Sequence, residues 1–223
     1  PIRRASMRTA EALIRDQLPP SNWSIIPTLL RTAYRAAEEF IRDNPILQVK
    51  SAEDNRGRII QWSVDLKVET AIRNGSLPCD YSWEYFDKPT GRYLQLRFPH
   101  STASISQVSR PDRQPRSVVF RENARLRSQP VFEGFEDGVE ICGLPHFLII
   151  HGYQNLNFAH IAMPSADSRV DYEFRTANLM NIPHEIQPDP EVAPTEDTDF
   201  DPDELGALKD EIEKWRKDHG GDE

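Results

Sequence analysis

What most limits this chain is a break near residue 185, where the material for a core runs out. Residues 185–223 hold fifteen Asp and Glu against four Lys and Arg, a net charge of −11. The whole chain carries −9, so residues 1–184 carry +2, from 23 basic and 21 acidic side chains. Pro183, Pro188, Pro190 and Pro194 punctuate the start of the acidic stretch. A segment so charged and so poor in apolar residues cannot bury enough surface to offset the entropy of ordering it. A packed core is therefore expected within the first 184 residues, a length that suits one domain without disulfide or metal staples.

Inside that body the apolar pattern changes period. A short helix is expected from a cap at Ser6 to about Leu18, where Pro19 and Pro20 stop it. Ile26, Leu29, Leu30, Ala33, Ala37, Phe40 and Ile41 then recur at helical spacing, with Pro27 in the first turn and Asn44-Pro45 as the stop. Over residues 58–74 both periods fit, but a strand that long is unusual, so Ile60, Val64, Val68, Ala71 and Ile72 are read as a helix face ending at Asn74-Gly75.

From residue 80 the period is two. Tyr81, Trp83 and Tyr85 alternate with polar residues, as do Leu94, Leu96 and Phe98 across Lys88-Pro89-Thr90-Gly91. Pairing Asp87 with Arg92 sets Tyr85 against Leu94, Trp83 against Leu96 and Tyr81 against Phe98, all on one core face. Further strands are expected at 102–108, 116–120, 138–142, 146–151, 157–163 and 169–174. Phe147-Leu148-Ile149-Ile150 does not alternate, which predicts a central strand covered on both faces, with a hairpin partner centred near Asn155. The fold class is α+β: N-terminal helices packed on a largely antiparallel sheet. The boundaries read as a body over 1–182 (mainly helical over 1–75, mainly β over 78–175), an acidic linker over 183–201 and an amphipathic helix over 202–218.

Cys79 and Cys142 read as free thiols of a reducing compartment. Pro1-Ile2-Arg3-Arg4-Ala5-Ser6 has no apolar leader, and no run approaches the ~20 apolar residues of a membrane span. A cytoplasmic protein without a membrane segment is expected.

No phosphate loop, nucleophile elbow or zincin helix is present in the sequence. His100, His146, His151 and His160 fall in one region, with Glu140 and Cys142 nearby. His151, His160 and Glu140 are the candidate catalytic groups if the chain is an enzyme acting on nucleic acid or another anionic substrate. Strand alternation sets His146 and His151 on opposite faces, so no metal is expected there, and no cofactor. Residues 110–127 carry a net +4, with Arg113, Arg116, Arg121, Arg125 and Arg127 as candidate anion ligands, for nucleic acid or an acidic surface. Leu205, Leu208, Ile212 and Trp215 form a stripe on the terminal helix that the helix alone cannot bury. The expected function is that of a non-enzymatic interaction or regulatory protein whose tail helix docks on a protein partner or on its own body. A bacterial regulatory or defence role fits that reading. A nucleic-acid-binding module without catalysis is the further alternative, and homo-oligomers are left open.

Overall fold

The computed structural model describes residues 9–85, 91–115, 144–165 and 167–184, all within the compact unit Pro1–Gln187. The strands expected at 116–120 and 138–142, the acidic linker and the terminal helix lie outside the described residues. Three helices come first: α1 (Ala10–Gln17), α2 (Ile25–Asp43) and α3 (Arg56–Arg73). Six strands follow: β1 (Asp80–Tyr85), β2 (Arg92–Phe98), β3 (Ser101–Val108), β4 (His146–Gly152), β5 (Ala159–Pro164) and β6 (Tyr172–Arg175). They form one sheet in sequence order, antiparallel except for the central pair β3 and β4, which run parallel. The fold is α+β, and no helix among the described residues is long and apolar enough to cross a membrane.

The helices form where the periodicity places them. The Thr9 hydroxyl accepts from the Ala12 amide and caps α1, one turn later than the Ser6 cap expected from sequence, and Leu18 ends the helix before Pro19-Pro20. Helix α2 buries Ile26, Leu30, Ala33, Tyr34 and Ala37. Phe40, expected on that face, is exposed, while Ile41 next to it packs against the core. Helix α3 buries Ile59, Ile60, Val64, Val68 and Ala71, so the helical reading of this ambiguous segment is the observed one.

One apolar core lies between the helices and one face of the sheet, through Leu94, Leu96, Phe98, Ala103, Ile105, Phe147, Ile149 and Ile161. A smaller cluster of Val108, Leu148 and Ile150, packed with Phe158 and Tyr172, occupies the opposite face. Strand β4 is buried along its whole length, as its unbroken apolar run implies. Its hairpin with β5 pairs Leu148 with Ala162 and Ile150 with His160, which centres it on Asn155. Gly152 is required there, since a Cβ would sit 2.0 Å from the Asn155 carbonyl oxygen.

The first hairpin departs from its expected register. Tyr85 pairs with Arg92, Trp83 with Leu94 and Tyr81 with Leu96, a slip of two residues. Side-chain faces repeat every two residues, so the apolar pattern fits both registers equally and the longer connection decides between them. The slip carries Tyr85 past the apolar run of β2. Among the described residues β1 is also the sheet edge, and there Trp83 is 39 % and Tyr85 69 % exposed. The reading of this aromatic set as core therefore holds for Tyr81, which packs against the core, and not for Trp83 and Tyr85. Phe86 lies outside the described residues.

Candidate anion-binding site

The histidines are built into the sheet rather than gathered into a cleft. His146 and His160 share one face and His151 points to the other, following alternation along β4 and the Ile150–His160 pairing. His146 lies between the hydroxyls of Thr102 (Nδ1, 2.8 Å) and Ser104 (Nε2, 3.0 Å) on the parallel neighbour β3. The Nδ1–H of His160 donates to the Thr176 carbonyl at 2.9 Å, and burial lowers its pKa. His100 sits exposed in the turn before β3. The structure does not bring His151 and His160 together, and Glu140 lies outside the described residues. Among the described residues no three of His, Cys, Asp or Glu converge. Cys79 is free, and burial pushes its thiol up to about 12, so it holds its proton at neutral pH.

His151 is fully buried and meets Tyr34 of α2, whose hydroxyl lies 2.8 Å from Nδ1 and donates to the Gly152 carbonyl. A phenol has one proton to give. With that proton on Gly152, His151 must donate from Nδ1–H and hold its Nε2 lone pair bare, and Nε2 has no partner. Burial lowers its pKa to about 4, so the ring is neutral. The pair therefore ties α2 to the end of β4. Tyr34 falls on the stripe of Leu30 and Ala37, but no local spacing shows that its hydroxyl meets a strand end 117 positions further on. Tyr34→Phe should cost about 2 kcal/mol in urea unfolding, since it strands a buried carbonyl and a buried N–H. A loss under about 0.5 kcal/mol would reject that tie.

A cavity lies elsewhere, at the carboxyl ends of the parallel pair. There Gln107 and Val108 end β3, Tyr153 follows β4, and the loop Ser109–Pro115 forms the rim of a space of ≈ 430 Å³. The crevice beyond the carboxyl ends of parallel strands is a recurrent ligand position in α/β sheets. The loop is held by the strand beyond β5. The Tyr172 hydroxyl donates to the Arg113 carbonyl at 2.7 Å, Arg175 donates to the Pro111 carbonyl, and the Gln114 amide side chain donates to the carbonyls of Ser168 (3.1 Å) and Asp171.

Two cations border this space. Arg110 is tied to Asp112 at 3.0 and 2.7 Å, and that contact holds the Asp112 carboxyl below the usual range. Arg113 is exposed and makes no side-chain hydrogen bond or ion pair among the described residues. Gln107 donates to the Gly57 carbonyl at 2.6 Å, while its Oε1 is buried without a partner. Of the candidate anion ligands, the described residues include Arg113 alone; Arg116, Arg121, Arg125 and Arg127 lie outside them. A loop fixed by its backbone presents one guanidinium that is unpaired among the described residues, beside the partnerless Gln107 Oε1. The class defined by fold and site is thus an α+β protein with a cation-rimmed crevice at a parallel strand pair. The chain matches no protein-family model, no curated protein and no solved structure.

Proposed function

We propose that this chain is a binding protein whose body recognises an anionic partner at the Arg110–Arg113 mouth. The observation that carries the reading is the Arg113 guanidinium, unpaired among the described residues, on a loop held by Tyr172, Arg175 and Gln114 at the rim of a sizeable cavity. A guanidinium that shares only the field of Asp112 with Arg110 and makes no hydrogen bond or ion pair among the described residues, on a backbone already ordered, offers charge-assisted hydrogen bonds at little further cost in entropy. The +2 body and the basic composition of residues 110–127 point the same way. Inorganic polyphosphate is the simplest probe. It should bind the full chain at low salt, and Arg113→Ala should weaken it about tenfold, the loss expected for one charged hydrogen bond. Equal binding by the variant, or none by the native chain, would reject the reading.

The stripe Leu205, Leu208, Ile212 and Trp215 favours a second reading, in which the acidic tail engages a protein partner as a helix. That reading rests on the sequence spacing alone.

A further inference from the structure

We propose that the Arg113 mouth is one end of a track for single-stranded nucleic acid, crossing the sheet end past Tyr153 and Arg58 to Trp62, Tyr85 and Arg92. This rests on the anion-binding reading and names its partner.

The strand directions bring these residues to one end. β1 and β3 both run antiparallel to β2, and β4 runs parallel to β3, so all three finish at the same end of the sheet. Helix α3 leads into β1 through a short turn and runs back against it. The Tyr81 hydroxyl donates to Glu69 at 2.6 Å and accepts from Arg73 at 3.1 Å, which sets the last turn of α3 beside the start of β1. The first turn of α3 therefore lies at the sheet end where β1, β3 and β4 finish. Gly57 confirms this: its carbonyl accepts from Gln107, and a Cβ there would sit 3.2 Å from the Tyr153 ring.

The outward stripe of α3 continues the surface. Arg58, Trp62, Leu66, Glu69 and Arg73 recur every three or four residues, on the side that Glu69 turns to β1. Trp62 lies about 10 Å along the helix from Glu69. Tyr85 lies about 13 Å along the strand from Tyr81, so Trp62 comes level with Trp83 and Tyr85. The aromatic rings stand open: Trp62 is 61 %, Tyr85 69 % and Tyr153 51 % exposed. The Arg92 guanidinium stacks over Tyr85 at 4.7 Å. Like Arg113, neither Arg58 nor Arg92 forms an ion pair among the described residues.

Open aromatic faces alternating with arginines that are unpaired among the described residues select one class of anion. Bases that are not stacked in a duplex offer planar faces to Trp and Tyr, while their phosphates take the guanidinium groups. A duplex hides those faces, and the carboxylates of an acidic peptide have none to offer.

The test uses the full chain at low salt with a short oligothymidine, the matching duplex and inorganic polyphosphate. Oligothymidine should quench tryptophan fluorescence and bind more tightly than the duplex. Trp62→Ala or Tyr85→Ala should weaken it about tenfold and leave polyphosphate binding unchanged. Arg58→Ala should lower the slope of log affinity against log salt by about 0.7. If Arg113→Ala weakens oligothymidine while Trp62→Ala and Tyr85→Ala do not, the track is overturned and the mouth stands. Duplex binding as tight as the single strand overturns the track as well. If neither polyphosphate nor oligothymidine binds, both readings fall.

Discussion

Asp65→Asn should stabilise the protein by about 2 kcal/mol at pH 7 and leave its stability unchanged at pH 4. Asp65 lies on the buried side of α3, and its nearest polar partner is the Gln61 amide, which donates to it at 2.8 Å. Burial raises its pKa to about 6, against the help of Gln61 and with a smaller push from Glu69. A carboxyl raised in this way keeps its proton in the folded state where the unfolded chain has lost it. Its favourable contribution is full below about pH 4 and is gone once the pH passes about 6. At neutral pH the ionised form is held in the core at a cost. An amide has the same shape, keeps the Gln61 contact and never ionises. His151 acts with the opposite sign. Its pKa is lowered to about 4, so between about pH 6.5 and 4 the unfolded chain binds a proton that the native ring refuses, and stability falls with the pH. In the native chain the two groups oppose each other across the same window. The variant removes one of them, so its own stability should fall by about 3 kcal/mol as the pH drops from 7 to 4, about 2 kcal/mol more than the native chain loses. Urea unfolding of both proteins at the two pH values measures this. A variant no more stable than the native chain at pH 7 would show that Asp65 is better solvated than its burial implies.

Phe147→Ala should cost about 3–5 kcal/mol, and Trp83→Ala less than about 1.5 kcal/mol. Phe147 is wholly buried at the start of β4, with its ring centroid 5.2 Å from that of Phe98. Truncation there opens a cavity between sheet strands and helices that are fixed by their own hydrogen bonds, so little relaxation can fill it. Trp83 is the larger side chain, yet it stands at the sheet edge with solvent on one side. The ranking therefore runs against residue size. Chemical denaturation of the two variants side by side decides it, and a larger loss for Trp83→Ala would mean that something covers the β1 edge.

How far these features could be read in advance depends on what each one needed. The buried run of β4 and the α2 face, Phe40 apart, follow from local periodicity; α3 needed its length as well, because both periods fit residues 58–74. The β1–β2 register needed a length that periodicity does not carry, because every side chain returns to the same face after two residues. Asp65 and Tyr34 were missed for a related reason. Each falls on an apolar stripe, but Asp65 is passed over as polar and the Tyr34 hydroxyl has its partner 117 positions away, beyond any local pattern. The mouth was visible in part: Arg113 belongs to a basic segment, whereas Tyr153 and Gln107 reach it only because β3 and β4 end side by side. Nothing in the sequence announces that two strands so far apart are parallel neighbours.

That central pairing has a kinetic consequence. Thr102 and His146 lie 44 positions apart in the chain, whereas β1 with β2 and β4 with β5 close over short turns. Loop-closure entropy is lost before a distant pairing returns anything, so the hairpins can assemble independently while the join between them waits. The most deeply buried seam of the sheet is then the last to close, and until it does the chain is two half-sheets with raw edges. Closure entropy grows only with the logarithm of separation, so the 44 positions between Thr102 and His146 slow the join far more than they weaken it.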